Sequence, residues 1–265
     1  MFRVRDETRK RDEVNVLPIA SSSKGNAYVV EEDGAAVLID CGVSCRSVCK
    51  ALEGLGIAKD EIPSRVQGVL VTHNHWDHVS GLPTLLGKFD LPVYANAMTA
   101  EAVAAQEKID DGAFACFENG QAFDLGPFAV SPFSIPHDAA DPVGYLIRTG
   151  SSVYFHGTDI GTPLDSVGLK LAEADVATLE SNHDSVMLRT SARPVSLKQR
   201  IAGPRGHLSN DDAVSLVKRF ASPHLRKLFL AHLSHECNAP HLAEGAMRAA
   251  FAEMGRTDIE LTVIT

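Results

Sequence analysis

The sequence predicts one α/β domain of the α+β kind, in which two β-sheets pack face to face and helices cover the outside. Strand-like runs crowd the first part of the chain with few helices among them, and strands and helices alternate only later. No linker divides the 265 residues, of which 45% are hydrophobic and 22% charged, so one large core can form over 14–265. The longest apolar runs, at 68–71 and 227–233, stop far short of the roughly 20 residues a bilayer requires, and no membrane role is expected.

Residues 1–13 carry five basic and four acidic side chains and predict a mobile charged arm. The N-terminus has no apolar stretch suited to a signal peptide, and five cysteines is an odd number, so the expected setting is a reduced cytoplasm. Cys41, Cys45 and Cys49 lie four apart and are expected on one helical face as small buried hydrophobes rather than metal ligands.

From there the elements follow in order. Strands are expected at 14–20, 27–31 and 35–40, where apolar and β-branched residues run between Gly, Asp and Ser punctuation. A helix is expected over 42–56: Ser44 is a plausible N-cap, Val48, Leu52 and Leu55 share a face, and Gly56 is a natural stop. Strands at 67–71 and 91–95 and a helix at 98–109 come next. Three strand-like runs follow at 128–137, 144–150 and 152–159. The chain then alternates: strand 174–180, helix 209–220, strand 227–233, helix 241–255, strand 258–264.

The densest chemical signal sits directly after the strand at 67–71, where His73, His75, Asp77 and His78 fall within six residues. In an extended segment His73 and His75 project to the same side, so two imidazoles can share a metal. Asp77 and His78 lie beyond the turn and can address a second ion. A net charge of −9 argues against general affinity for nucleic acid, but not against an enzyme whose metals attract phosphate locally. Apart from Arg3, Arg5, Arg9, Lys10 and Arg11 in the arm, no long basic surface stands out.

This motif resembles the signature of the metallo-β-lactamase fold, which implies a four-layer αββα sandwich. The resemblance makes His137 the third histidine of a first metal, Asp159 the carboxylate bridging two metals, and His232 the last histidine of the second. The implied ligand set is therefore His73, His75, Asp77, His78, His137, Asp159 and His232, holding two divalent ions, Zn2+ or Mn2+. The segments 174–180 and 206–210 resemble those of tRNase Z, where a strand-end glutamate orients a histidine that acts on phosphodiesters; here these are Glu180 and His207. More closely, 21–26, 38–42, 180–184, 197–201, 206–210 and 232–234 resemble the YycJ (WalJ) group of bacterial DNA exonucleases, over about 14–241. Arg193 and Cys237 depart from that pattern, where an aromatic residue and an Asn are expected.

The resemblance implies a DNA exonuclease, with RNA left open as a substrate, no obligate protein partner, and a PhnP-like hydrolase of small or cyclic phosphodiesters as the alternative. A flavodiiron-like redox module would need a flavin domain for which the chain has no room, and hydrolysis of a lactam, lactone or thioester leaves Glu180 and His207 without a task. Asp77 would orient the attacking water, and His207, held by Glu180, would protonate the leaving oxygen. Ser22 and Asn26 are candidates for holding phosphate, unless their loop is a simple turn. Ser209 and Asn210 are candidates for substrate contact, unless they cap the following helix. Asp40 is expected to hydrogen-bond groups beneath the metals. Of His156 and His183 one is expected to pack and the other to touch substrate, and His235 to be a solvated surface residue.

Overall fold

Successive side chains of a strand point to opposite faces, so a strand apolar on both faces belongs between two layers. The segment Gly25–Glu32 behaves this way: Tyr28 and Val30 join one apolar cluster and Val29 another. In the next strand Val37 and Ile39 go with Tyr28, and Ala36 and Leu38 with Val29. The later strands split alike. Tyr145, Ile147, Tyr154, Val176 and Phe229 meet Tyr28 in a shared central cluster, while Leu146, Phe155, Ala177, Leu228 and Leu230 form a third. Three apolar layers imply four layers of secondary structure.

A computed structural model describing residues 14–265 has this four-layer αββα arrangement; the arm expected at 1–13 lies outside the described residues. One sheet runs in chain order through β1 (Asn15–Ser22), β2 (Gly25–Glu32), β3 (Ala35–Ile39), β4 (Val66–Leu70), β5 (Val93–Asn96) and β6 (Phe114–Phe117). Its first three strands are antiparallel and the rest join in parallel. The other sheet comprises β7 (Phe123–Leu125), β8 (Phe128–Ser134), β9 (Val143–Arg148), β10 (Val153–Gly157), β11 (Val176–Glu180), β12 (Lys227–Ala231) and β13 (Glu260–Val263), again in spatial chain order. It is antiparallel up to β10 and parallel beyond.

The first sheet is covered by α1 (Cys45–Gly54), α2 (Ile62–Arg65), α3 (Trp76–Val79), α4 (Leu82–Phe89) and α5 (Ala97–Glu107), each with residues in the outer cluster. Beyond β10 come α6 (Asp165–Leu171), α7 (Ser185–Thr190), α8 (Val195–Ile201), α9 (Asn210–Phe220) and α10 (Pro240–Met254). Of these α6, α9 and α10 cover the second sheet, whereas α7 and α8 share a small cluster of Leu188, Ile201 and Cys237 with Leu197 against it. Ser44 caps α1 by accepting from the Ser47 amide, and Gly56 leaves it at φ +78°, as expected.

Strands β6 and β7 and helices α2, α3, α4, α6, α7 and α8 have no counterpart in the sequence expectation. They span 3–8 residues each, too few for a periodic pattern to register. Cys41 precedes α1, so only Cys45 and Cys49 share the helix; all three are buried, and burial pushes the Cys41 thiol up to about 12. Among the described residues no helix is long and apolar enough to cross a membrane.

Candidate metal centre

The chain leaves β4 extended, with His75 the last residue before α3 at φ −66° and ψ 145°. This brings the rings of His73 and His75 to 4.6 Å between centroids, and the turn of α3 then returns Asp77 and His78 towards them. Three further site residues, Asp40, Asp159 and His232, stand just past β3, β10 and β12 with φ of +58°, +59° and +58°. That left-handed conformation is uncommon outside glycine and costs on the order of 1–3 kcal/mol each. It turns each side chain in from a strand end, and surrounding bonds hold it: the Asp40 amide donates to the Leu70 carbonyl at 2.8 Å and the His232 amide to Ser21 Oγ at 2.7 Å.

Four imidazoles have one nitrogen tied down and the other left for a cation. His137 Nδ1 donates to the Gly206 carbonyl at 2.9 Å, His78 Nδ1 to Asp40 Oδ2 at 2.7 Å, and His232 Nδ1 to Glu180 Oε1 at 2.9 Å. Thr72 Oγ1 donates to Asp40 Oδ2 at 2.8 Å, so at 3.0 Å it accepts from His73 Nδ1. With Nδ1 engaged, Nε2 is the nitrogen each ring can offer to a metal, which takes the neutral imidazole. His137 Nε2 lies 3.3 Å from His75 Nδ1 and 3.6 Å from Asp159 Oδ1; His78 Nε2 lies 3.3 Å from Asp159 Oδ2 and 3.6 Å from Asp77 Oδ2. His73, His75 and His137 form one donor group, and Asp77, His78 and His232 another; Asp159 is grouped with members of both.

His73 Nε2, His232 Nε2 and Asp159 Oδ2 are buried without a hydrogen-bond partner. A buried polar atom left so costs about 1–3 kcal/mol, and His73 and His232, each grouped with Asp159, fit divalent cations coordinated by nitrogen and oxygen. Burial drives the Asp159 carboxyl up, but His232, His78, His73 and His137 together hold it well below the usual carboxylate range.

Glu180 is fully buried at the end of β11 and all its acceptor capacity is used. Oε1 accepts from His207 Nδ1 at 2.8 Å as well as from His232, and Oε2 from the Ile160 and Leu208 amides at 2.7 and 3.1 Å. Burial raises its carboxyl, but the charge and hydrogen bond of His207 and the bond from His232 bring it down to about 2. One carboxylate thus orients both the histidine expected to act on substrate and one expected to hold metal, a link absent from the sequence reading. His75, Asp77 and His207 have side chains 29%, 20% and 20% exposed and border the opening. Beside His207 and His232 lies a cavity of about 60 Å³ lined also by Ser23, Asn182, Arg193 and Ser234.

Other expectations shift. Asn26 is fully buried, and its Nδ2 donates to the Ser22 carbonyl at 2.9 Å and to Asp77 Oδ2 at 3.1 Å and lies 3.0 Å from His78 Nε2, so it steadies Asp77. Ser22 Oγ accepts from the Lys24 amide at 3.2 Å, within the β1–β2 turn. Ser209 caps α9 reciprocally with Asp212, and Asn210 accepts from Ser181 Oγ at 2.7 Å and pairs with Asn238, so both are committed to structure. Asp40 lies beneath the donors, on His78 and Thr72. His156 packs edge-on to Tyr28 between the sheets, His183 is buried beside the Ser209 loop, and His235 is exposed. Asp138 was not anticipated: its Oδ1 lies 3.4 Å from His137 Nε2, and a lone Asp after a His carries no pattern.

The β-lactamase superfamily domain matches residues 35–233. The chain is 31% identical over 242 residues to exodeoxyribonuclease WalJ of Streptococcus pneumoniae, covering 89% of this chain and 88% of that protein. It is 34% identical over 238 residues to exodeoxyribonuclease YycJ of Bacillus anthracis, covering 89% of each. Among solved structures, the metallo-β-lactamase fold protein YhfI of Bacillus subtilis superposes with a TM-score of 0.71 at 18% identity, over 96% of this chain and 97% of that one.

Proposed function

The chain belongs to the β-lactamase superfamily and, within it, to the family of the exodeoxyribonucleases WalJ and YycJ, and from that membership we propose that it is a cytoplasmic exonuclease hydrolysing DNA phosphodiesters at a centre of two divalent ions. The observation carrying the reading is Glu180 Oε1, which accepts from His207 at 2.8 Å and from His232 at 2.9 Å and so joins a proton donor to a metal ligand. His73, His75 and His137 would hold one ion and Asp77, His78 and His232 the other, with Asp159 between them. Bound there, the ions would supply an activated water at neutral pH and offset the charge on phosphate.

Asp77, at the opening and steadied by Asn26, accepts a hydrogen bond from the attacking water and aims its lone pair. The leaving oxygen of a nucleotide is a poor leaving group and needs a proton. His207 would give it: Nδ1 is held by Glu180, and the ring lines the cavity beside His232. Glu180, ionised at any working pH, fixes the orientation of the ring, and acid catalysis of this kind contributes about 10²–10⁴-fold. Five free cysteines are consistent with a reducing compartment.

The test is the Zn2+- or Mn2+-loaded protein on 5′- and 3′-labelled DNA, single- and double-stranded, beside a chromogenic phosphodiester. Progressive release of mononucleotides is expected. Turnover of the small diester with no action on DNA ends under either metal sinks the nuclease reading in favour of a small-phosphodiester hydrolase.

A further inference from the structure

Between Asp184 and Asp211 the chain has no acidic residue and carries Arg189, Arg193, Lys198, Arg200 and Arg205, five of its 25 Lys and Arg, although its net charge is −9. This stretch contains α7 and α8, which pack through their own small cluster rather than the main core. Three of its arginines stand beside the metal centre. Arg193 lines the cavity that also holds His207 and His232. On the other side, Arg200 Nε donates to Asp138 Oδ2 at 2.5 Å, and that carboxylate reaches within 3.4 Å of His137 Nε2 and 3.9 Å of His75 Nε2. Arg205 Nε donates to the His137 carbonyl at 3.0 Å.

We propose that this acid-free segment is the rim along which a single DNA strand lays its phosphates, Arg193 contacting the backbone on the His207–His232 side and Arg200 on the His75–His137 side. The proposal rests on the nuclease reading and gives it the cationic surface that the net charge does not. A small diester is held at the metals alone. A strand continues past them, and its neighbouring phosphates need cations beyond the centre, which is where these two arginines stand. Their present partners are easily exchanged. Arg193 pairs at 3.0 Å with Glu236, whose side chain is 69% exposed, and the Arg200 side chain is itself 59% exposed; such pairs are weak in water, whereas a guanidinium matches phosphate oxygens in a two-point fork. An ordinary solvated helix face would carry mixed charge and point away from the donors; this one has a single sign and reaches the residue next to a proposed ligand.

The test is fluorescence anisotropy of a labelled single-stranded oligonucleotide with phosphorothioate linkages, titrated with metal-loaded protein between 50 and 200 mM salt. Arg193→Gln and Arg200→Gln should each weaken binding several-fold and flatten the plot of log K against log salt by about 0.7, the share of one phosphate contact on a single strand, and together by about twice that. Arg200→Lys should keep the slope, and Arg248→Gln, on α10, should change nothing. Unaltered affinity and slope in both glutamine variants, with a wild type that binds and cuts DNA, overturns the rim alone. A wild type that hydrolyses a chromogenic diester but neither binds the oligonucleotide nor cuts unmodified DNA overturns the nuclease reading and the rim with it.

Discussion

The floor of the centre and the α7–α8 rim above it are built on opposite physical terms. In the floor, His73, His78, His137, Asp159, Glu180 and His232 are almost wholly buried, hung from strand ends or, for His78, from α3, and held by hydrogen bonds. The rim rests on a cluster of three buried residues and one partner, and presents exposed cations. Burial makes the floor precise, because each unpaired donor there is costly and one arrangement around cations is favoured. Exposure makes the rim adjustable, since its ion pairs are cheap to break. Chemistry needs the first and a long, variable polymer the second.

The floor should break hardest at Asp159, which sits among four imidazoles. Asp159→Ala is expected to drop the metal content from about two ions per chain to one or fewer and to abolish turnover. Elemental analysis decides, and a fully loaded variant would show that the carboxylate does not join the two donor groups. Metal removal should separate the regions less drastically. Ions that bind only the folded state at 100 times their dissociation constant add about 2.7 kcal/mol to stability, so chelation should lower the melting temperature of the whole domain. Proteolytic cleavage within 185–210 should stay unchanged by chelation at temperatures where the domain remains folded.

A subtler cut runs between metal and proton transfer. His207→Ala should keep both ions and lose about 10²–10⁴-fold in rate on DNA, with selective recovery on a substrate whose leaving group needs no proton. Glu180→Gln is expected to do more than weaken His207, because the same oxygen holds His232 Nδ1; a partial loss of metal should accompany the loss of rate. The two changes should be non-additive. Equal slowing of good and poor leaving groups in His207→Ala would remove the acid role and leave the pair a positioning device.

Legibility followed distance along the chain. His73, His75, Asp77 and His78 were readable because their spacing in an extended segment and one helical turn dictates where they point. His137, Asp159 and His232 have no local signature and were placed only by their order after that motif. Contacts between distant segments were invisible: Asn26 to Asp77 spans 51 residues and Glu180 to His232 spans 52. The strand-then-helix order foretold the layers, while helices of one or two turns left no trace. The charge asymmetry of 185–210 was in plain sight but averaged away within a net charge of −9.

The smallest effect sharpens the comparison without touching activity, and cysteines report it. Cys116 is exposed, Cys237 is buried in the rim's small cluster, and Cys41, Cys45 and Cys49 are buried beneath the first sheet's helices. Burial lifts the Cys49 thiol and pushes Cys41 up to about 12, so at pH 8 Cys41 holds almost no thiolate while folded and reacts only when its surroundings open. Opening free energies follow the apolar contacts that must be broken. The rim's cluster is a fraction of the size of the one holding Cys41, so Cys237 should label by local opening and the α1 cysteines by near-global unfolding. Mass spectrometry of the native protein treated with a thiol reagent should find Cys116 modified at once, Cys237 next, and Cys41, Cys45 and Cys49 last. Oligonucleotide bound across Arg193 and Arg200 should slow Cys237 alone. If Cys237 labels together with Cys41, the rim and the floor open as one unit, and the adjustable surface inferred for α7 and α8 is as rigid as the centre it covers.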